Sequence, residues 1–349
     1  MSLVHLDSYS HYGTTIANVT KKYDNSGDLT GNALSTSIVR PGASHSLRRN
    51  NSAGTAGCGY TSPTYSSRGS TFIYQEYCYF NMTGGFASFV IARCREATTV
   101  HMQLGMDTTR HLRVLRGDGT VLGTASLQLE FQAWYCIQFK TLINNSTGTY
   151  EVWVDGTSIL SGSGADTRNG GASGIWDDFQ VGGQNACYFS DLVIFDGQGA
   201  RNNDVIDGNW RINCALPLTD AIASGANAGL TPSTGSDHGA LVDEATPDVA
   251  DYNGSATVGV KDTYRFTAPS VGGGDVLGVQ TNLLVFKTDA GGKTVAAVTR
   301  TGGTDYDGAN VSPIATTPRY HCEVQETDPD TTTDWDAADI IEFGMKVTA

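Results

Sequence analysis

The sequence predicts an all-β protein, a sandwich or jelly roll followed by a second, smaller β domain. Three observations predict it. Apolar residues alternate with a period of two along nearly every regular segment, which sets one face of a strand against a core. Turn pairs such as Asp155-Gly156 recur at short intervals and supply the positive φ that tight hairpins need. Only 17% of residues are charged, while Gly takes 42 of 349 positions, so the composition of helical bundles and coiled coils is missing.

Taken in order, the first strand segments are 72–80 (FIYQEYCYF), 87–93 (ASFVIAR), 100–106 and 111–116 (HLRVLR). They continue as 121–126, 134–143 (WYCIQFKTLI), 150–155 (YEVWVD), 179–182 and 186–196 (ACYFSDLVIFD). Turns at 117–119, 144–146, 155–156 and 169–171 separate them, each built from Gly, Asn or Asp. A chain of many short strands with regular turns closes into a sandwich or jelly roll. After Ile212 the composition changes. Residues 216–251 are poor in aromatics and carry Pro217, Pro232 and Pro247, which predicts an irregular connection with one short helical turn near 220–224. Strands resume at 256–260, 263–268, 276–287, 294–300, 319–326 and 340–347, with a helical turn at 336–339 before the last. The predicted domains are therefore 1–212 and 213–349.

Composition also bounds function. Lys and Arg number 22 against 36 Asp and Glu, a net charge of −14. That balance disfavours nucleic acid, whose phosphates it repels. No stretch approaches 18 apolar residues, so no helical membrane span is expected. The first residues lack a basic and then apolar run, so no signal peptide is expected, and Asn-x-Ser/Thr sequons such as those at Asn18, Asn81, Asn144, Asn145, Asn253 and Asn310 are expected to stay unmodified. The seven cysteines show no Cys-x-x-Cys spacing. Cys78, Cys136 and Cys187 fall inside aromatic strand segments, which favours buried thiols over a disulfide framework. The histidines show no metal-ligand spacing, and no cofactor or metal is expected.

Several segments together carry a family resemblance. The hairpin 115–124 is followed by Trp134-Tyr135 and Phe139, then by 148–156 (GTYEVWVDG), 181–183 (VGG) and 188–196 (YFSDLVIFD), with 6–12 as an opening strand. This succession resembles the concanavalin A-like lectin/glucanase jelly roll in its laminin-G-like form. Segments 196–208 and 326–347 are similar to virion proteins of tailed bacteriophages, in which such a sandwich precedes a smaller β domain. The resemblance implies a structural or appendage protein on the exterior of a phage particle, located in the virion. It implies a role in capsid decoration, at the neck or collar, or as a tail appendage, with other virion proteins and copies of itself as partners in a homo-oligomer such as a trimer. Arg40, Arg48 and Arg49 stand out against the acidic background as docking charges.

Catalytic patterns are weak. Lectin-like glucanases need paired carboxylates on one strand face, and Glu151 with Asp155 supplies two, the second of them in a turn. Asp191 and Asp196 are five apart and face opposite sides. Arg116-Gly117-Asp118 and Gly292-Lys293-Thr294 read as hairpin turns. Asp305, Asp307, Asp328, Asp330, Asp334 and Asp336 read as solvated acidic turns rather than a Ca²⁺ loop. For a host-surface glycan, a shallow site needs an aromatic platform with planar polar partners. Trp176 with Asp177 and Asp178, following the Gly-rich loop 169–174, is the group of that kind, because this Trp is loop-borne whereas Trp134 and Trp153 sit in strands as core fillers. The expectation is thus a non-enzymatic protein acting through packing, with glycan binding as the alternative and polysaccharide depolymerisation behind it.

Overall fold

The computed structural model describes residues 2–25, 31–50, 59–66, 68–82, 86–170, 173–184, 187–220, 229–269, 271, 274–289, 291–311, 316–340 and 342–349. Cys58 and most of the helical turn expected near 220–224 lie outside these residues. The contacts divide the chain into two units, Met1–Ser10 with Thr14–Ile212, and His11–Gly13 with Asn213–Ala349.

Among the described residues the first unit is an antiparallel sandwich of fifteen strands. In order they are β1 (Leu3–Asp7), β2 (Asp24–Asn25), β3 (Ala33–Ser35), β4 (Ser46–Arg49), β5 (Tyr60–Thr61), β6 (Thr71–Phe80), β7 (Phe89–Glu96) and β8 (Thr99–Met106). They continue as β9 (His111–Arg116), β10 (Val121–Gln128), β11 (Trp134–Leu142), β12 (Gly148–Val154), β13 (Thr157–Ala165), β14 (Asp178–Val181) and β15 (Cys187–Phe195). The first sheet runs β13-β12-β11-β6-β15-β4-β3, with β1 also paired to β15. The second runs β10-β9-β8-β7-β14-β5-β2.

Alternation explains why these residues form these strands. In β12, Tyr150, Val152 and Val154 are buried, while Thr149, Glu151 and Trp153 face outward. The β12–β13 hairpin closes on Asp155 and Gly156, whose φ angles of 50° and 77° are the left-handed pair such a two-residue turn requires. Between the sheets lie Phe72, Tyr74, Phe80, Met102, Leu104, Phe139, Phe179 and Phe189, all buried. Burying each large apolar side chain stabilises the fold by about 1.5–3 kcal/mol.

The same interior holds an ion pair. Arg49 reaches Glu76 through two contacts of 2.9 and 2.6 Å, and the Tyr9 and Tyr74 hydroxyls each donate to Glu76 at 2.6 Å. Four donors on one carboxylate satisfy a charge that would otherwise be prohibitive to bury. Arg49 is 1% exposed and therefore is not a docking charge. Arg40 is not one either, because it pairs with buried Asp191 at 2.7 Å and lies 3.3 Å above the Tyr77 ring. Cys78, Cys94, Cys136 and Cys187 are buried free thiols.

Among the described residues the second unit is built on a five-stranded sheet. Its strands, in chain order, are β16 (Thr219–Asp220), β17 (Thr231–Pro232), β18 (Asn253–Gly254), β19 (Lys261–Arg265), β20 (Val279–Val285), β21 (Val295–Thr301), β22 (Thr304–Asp307), β23 (Arg319–Gln325) and β24 (Glu342–Val347). The main sheet runs β16-β19-β24-β21-β22, and β17-β18 and β20-β23 are separate pairs. Trp335, Ile340 and Phe343 form one core cluster. The expected strand at 256–260 is absent. Gly259 sits at φ 91°, Val258 is 59% exposed, and the chain turns there.

Candidate functional site

The residues expected to bind a glycan are structural. Trp176 is 0% exposed. Its indole N–H donates to the Thr71 carbonyl at 2.7 Å, and its ring meets Phe72 edge-on at 5.0 Å. Asp177 accepts the Ala97 N–H at 2.9 Å. Asp178 is buried and takes two bonds from Arg95, at 2.6 and 2.8 Å. Burial lifts the Asp178 carboxyl above its ordinary value against the pull of Arg95. The Trp is loop-borne but packs into the sandwich, so it offers no face to a sugar.

Several other expected acidic groups are held by structural partners. Asp155 accepts the Cys136 N–H at 2.8 Å and holds the β12–β13 turn. Asp196 pairs with Arg68 at 3.3 Å. Asp118 binds Arg116 across the β9–β10 turn at 2.6 Å. Asp305 is held by Lys261 and Arg300, and Asp307 by Lys346. Asp336 caps the turn Ala337–Asp339 by accepting from the Ala338 N–H at 2.9 Å.

What strand alternation turns outward instead is a row of groups on the outer face of the first sheet. Register places Gln75 opposite Gln138, Gln138 opposite Trp153, and Lys140 opposite Glu151, which in turn faces Ser161 on β13. The chain leaving β15 crosses this face. Ile206 donates its N–H to Gln75 at 2.9 Å and accepts from Gln138 at 2.7 Å. Trp210 packs on Tyr77 at 5.2 Å, and the Tyr77 hydroxyl donates to Asn209 at 3.3 Å. This strap explains why β6 is buried on both faces, a pattern that a half-solvated strand would not show.

Beside the strap lies an open depression of about 530 Å³, lined by Lys140, Thr149, Glu151, Trp153, Ser161, Ser163 and Asp204 among others. Trp153 is half-buried there. Lys140 binds Asp204 at 2.8 Å, and Glu151 accepts from the Ser158 hydroxyl at 2.6 Å. An indole, an ammonium, two carboxylates and three hydroxyls thus surround one solvent-filled space. Strand alternation within 150–155 was the signal that could have found Trp153, since Tyr150, Val152 and Val154 already take the core positions.

The outer face of the second sheet is polar too, but its groups bond to one another. Gln180 donates to Thr61 at 2.6 Å and accepts from Arg93 at 2.5 Å, while Gln103 donates to the Arg116 carbonyl at 3.3 Å. Gln180 and Gln103 are buried. The row Thr61–Gln180–Arg93–Gln103 follows directly from the register of β5, β14, β7 and β8.

Neither a family model nor a curated protein matches the sequence. Solved structures do. The chain is similar to the cellulose-induced protein Cip1, at 14% identity and TM-score 0.40, covering 54% of this chain and 95% of that one. It is similar to an endo-β-1,4-glucuronan lyase from the fungus Trichoderma reesei, at 14% identity and TM-score 0.36, covering 49% and 93%. It is also similar to the sialidase of Trypanosoma rangeli, at 16% identity and TM-score 0.31, covering 43% of this chain and 25% of that one. The chain thus spans about a quarter of the sialidase. These likenesses are to the β-sandwich fold and assign no residue a role. Two of the three neighbours carry enzyme names, which runs against the expectation of a non-enzymatic protein acting only through packing, while at these identities the likeness reaches the fold and not an activity.

Proposed function

We propose that the sandwich unit is carbohydrate-active and engages a polysaccharide on the outer face of its first sheet. The single observation that carries this reading is the half-buried Trp153 in the depression with Lys140, Glu151 and Asp204. Sugar rings present apolar C–H faces edged by hydroxyls. A ring lying on the indole would remove apolar surface from water, and the charged and hydroxyl groups around it would bond its edge. The phage-like segments 196–208 and 326–347 support a setting on the exterior of a phage particle, where the polymer met is a bacterial surface polysaccharide. Several copies on one particle would raise avidity without any new contact.

The test is an array of bacterial capsular and O-antigen polysaccharides. Wild type binds a subset, and Trp153→Ala weakens that binding at least tenfold with an unchanged circular dichroism spectrum. A blank array for wild type removes the reading. Chain cleavage is the second reading, favoured by the two carboxylates in the same depression, since glycoside hydrolysis uses such a pair. Release of new reducing ends, lost in both Glu151→Gln and Asp204→Asn, is its signature.

A further inference from the structure

At the other end of the same face lies a second group that the strap leaves open. Register aligns Arg48 on β4 with Tyr188 on β15, Tyr188 with Tyr79 on β6, and Tyr79 with Trp134 on β11. All four are half-buried. The Tyr79 ring lies 5.4 Å from Trp134 and 6.2 Å from Tyr188. Three contiguous aromatics on the solvent side of a sheet are unusual, because single scattered apolar residues are what a surface normally carries. The strap bonds to Gln75, Tyr77 and Gln138, further along the same strands.

Arg48 closes the row at one end, and its position is distinctive. Of the three arginines that stood out in the sequence, Arg40 and Arg49 have buried carboxylate partners. Arg48 has no ion pair among the described residues, and its Nε is buried without a hydrogen-bond partner. A guanidinium fork matches a carboxylate in two parallel bonds.

We propose that the row Arg48–Tyr188–Tyr79–Trp134 is a second subsite that takes carboxylate-bearing sugars, with rings seated on the aromatics and one carboxylate on Arg48. The inference rests on the reading that this face engages a polysaccharide, and it names the class: an acidic one. A chain of net charge −14 repels an acidic polymer at long range. At 0.15 M salt the screening length is about 8 Å, so the local Arg48 contact decides.

The test titrates the full chain by calorimetry at 0.15 M salt with two probes, a mannuronate hexamer and the same hexamer with its carboxylates reduced to hydroxymethyl groups. The expected result is at least tenfold tighter binding of the acid form. Arg48→Gln brings the ratio of the two affinities near one, Arg48→Lys restores part of it, and Tyr79→Ala weakens both probes together. An unchanged ratio in Arg48→Gln overturns the inference, and so does absence of binding by either probe. If Trp153→Ala abolishes binding of the reduced hexamer while Arg48→Gln leaves the ratio intact, the subsite fails and the broader reading stands. If the row variants act as expected and Trp153→Ala does nothing, the depression fails and the subsite stands. Light scattering that shows Arg48→Gln dissociating an oligomer, with no binding of either probe, identifies the row as a contact between copies and overturns the inference.

Discussion

Trp176 and Trp153 divide the indole's two uses between core and surface. Trp176 is enclosed, bonded to Thr71 and packed on Phe72, so truncation leaves a cavity and an unpaired carbonyl. Trp176→Ala is expected to cost about 3–5 kcal/mol, read as a fall in the urea midpoint. Trp153→Ala removes a half-buried ring from an outward position, so its midpoint is expected to move by less than about 1 kcal/mol while glycan binding falls. Glu76 behaves like Trp176. Glu76→Ala strands the Arg49 charge in the interior and is expected to cost about 3–5 kcal/mol, with midpoints by urea unfolding as the check. Opposite results for the two tryptophans, a stable Trp176→Ala and an unfolded Trp153→Ala, would reverse the assignment.

At the scale of elements, the strap 204–212 is what most alters the first sheet. Trp210 is buried against Tyr77, and Trp210→Ala is expected to lower stability by roughly 3 kcal/mol and to speed hydrogen exchange of the β6 and β11 amides near Tyr77. Unchanged exchange there would mean that the strap is not held as described. The strap also shows where sequence reading stops. Strands β6, β11, β12 and β15 were legible because alternation and turn pairs are local signals. The strap has no period, its turn pair Asp207-Gly208 (Gly208 at φ 75°) says nothing of what it packs on, and its contacts bridge 68 and 131 residues. Trp176 was misread for the same reason, since its partner Thr71 lies 105 positions away. At 256–260 the alternation was real, but a glycine in the left-handed region outweighed it. The reading of 150–155 as a strand was right, but it took Trp153 for a core filler, although alternation with Tyr150, Val152 and Val154 turns that residue to the solvent face. The aromatic row at Tyr188, Tyr79 and Trp134 needed strand order, which no local pattern supplies.

Across the whole molecule, acidic charge and buried thiols set the response to pH. Burial pushes the Cys94 and Cys187 thiols up to about 12, and Tyr60 likewise to about 12. In the unfolded chain such thiols ionise near 9, so above that pH the folded state holds more protons. Stability contributed by these groups is complete below pH 9 and is lost as pH rises from 9 towards 12. Each thiol adds a slope approaching ~1.4 kcal/mol per pH unit in that window. The urea midpoint is expected to fall between pH 9 and 11, with a shallower fall in Cys94→Ala. The four sandwich thiols are also expected to resist a thiol reagent at pH 8 until denaturant is added. Fast modification of Cys78 or Cys187 in the native protein would show an interior more open than described.

The most direct test of the central claim is the structure of the protein with an array-positive oligosaccharide bound. The account predicts a sugar ring stacked on Trp153 and hydrogen-bonded within the depression formed by Lys140, Glu151 and Asp204. A saccharide seated instead on the second sheet, along Thr61, Gln180, Arg93 and Gln103, would contradict it.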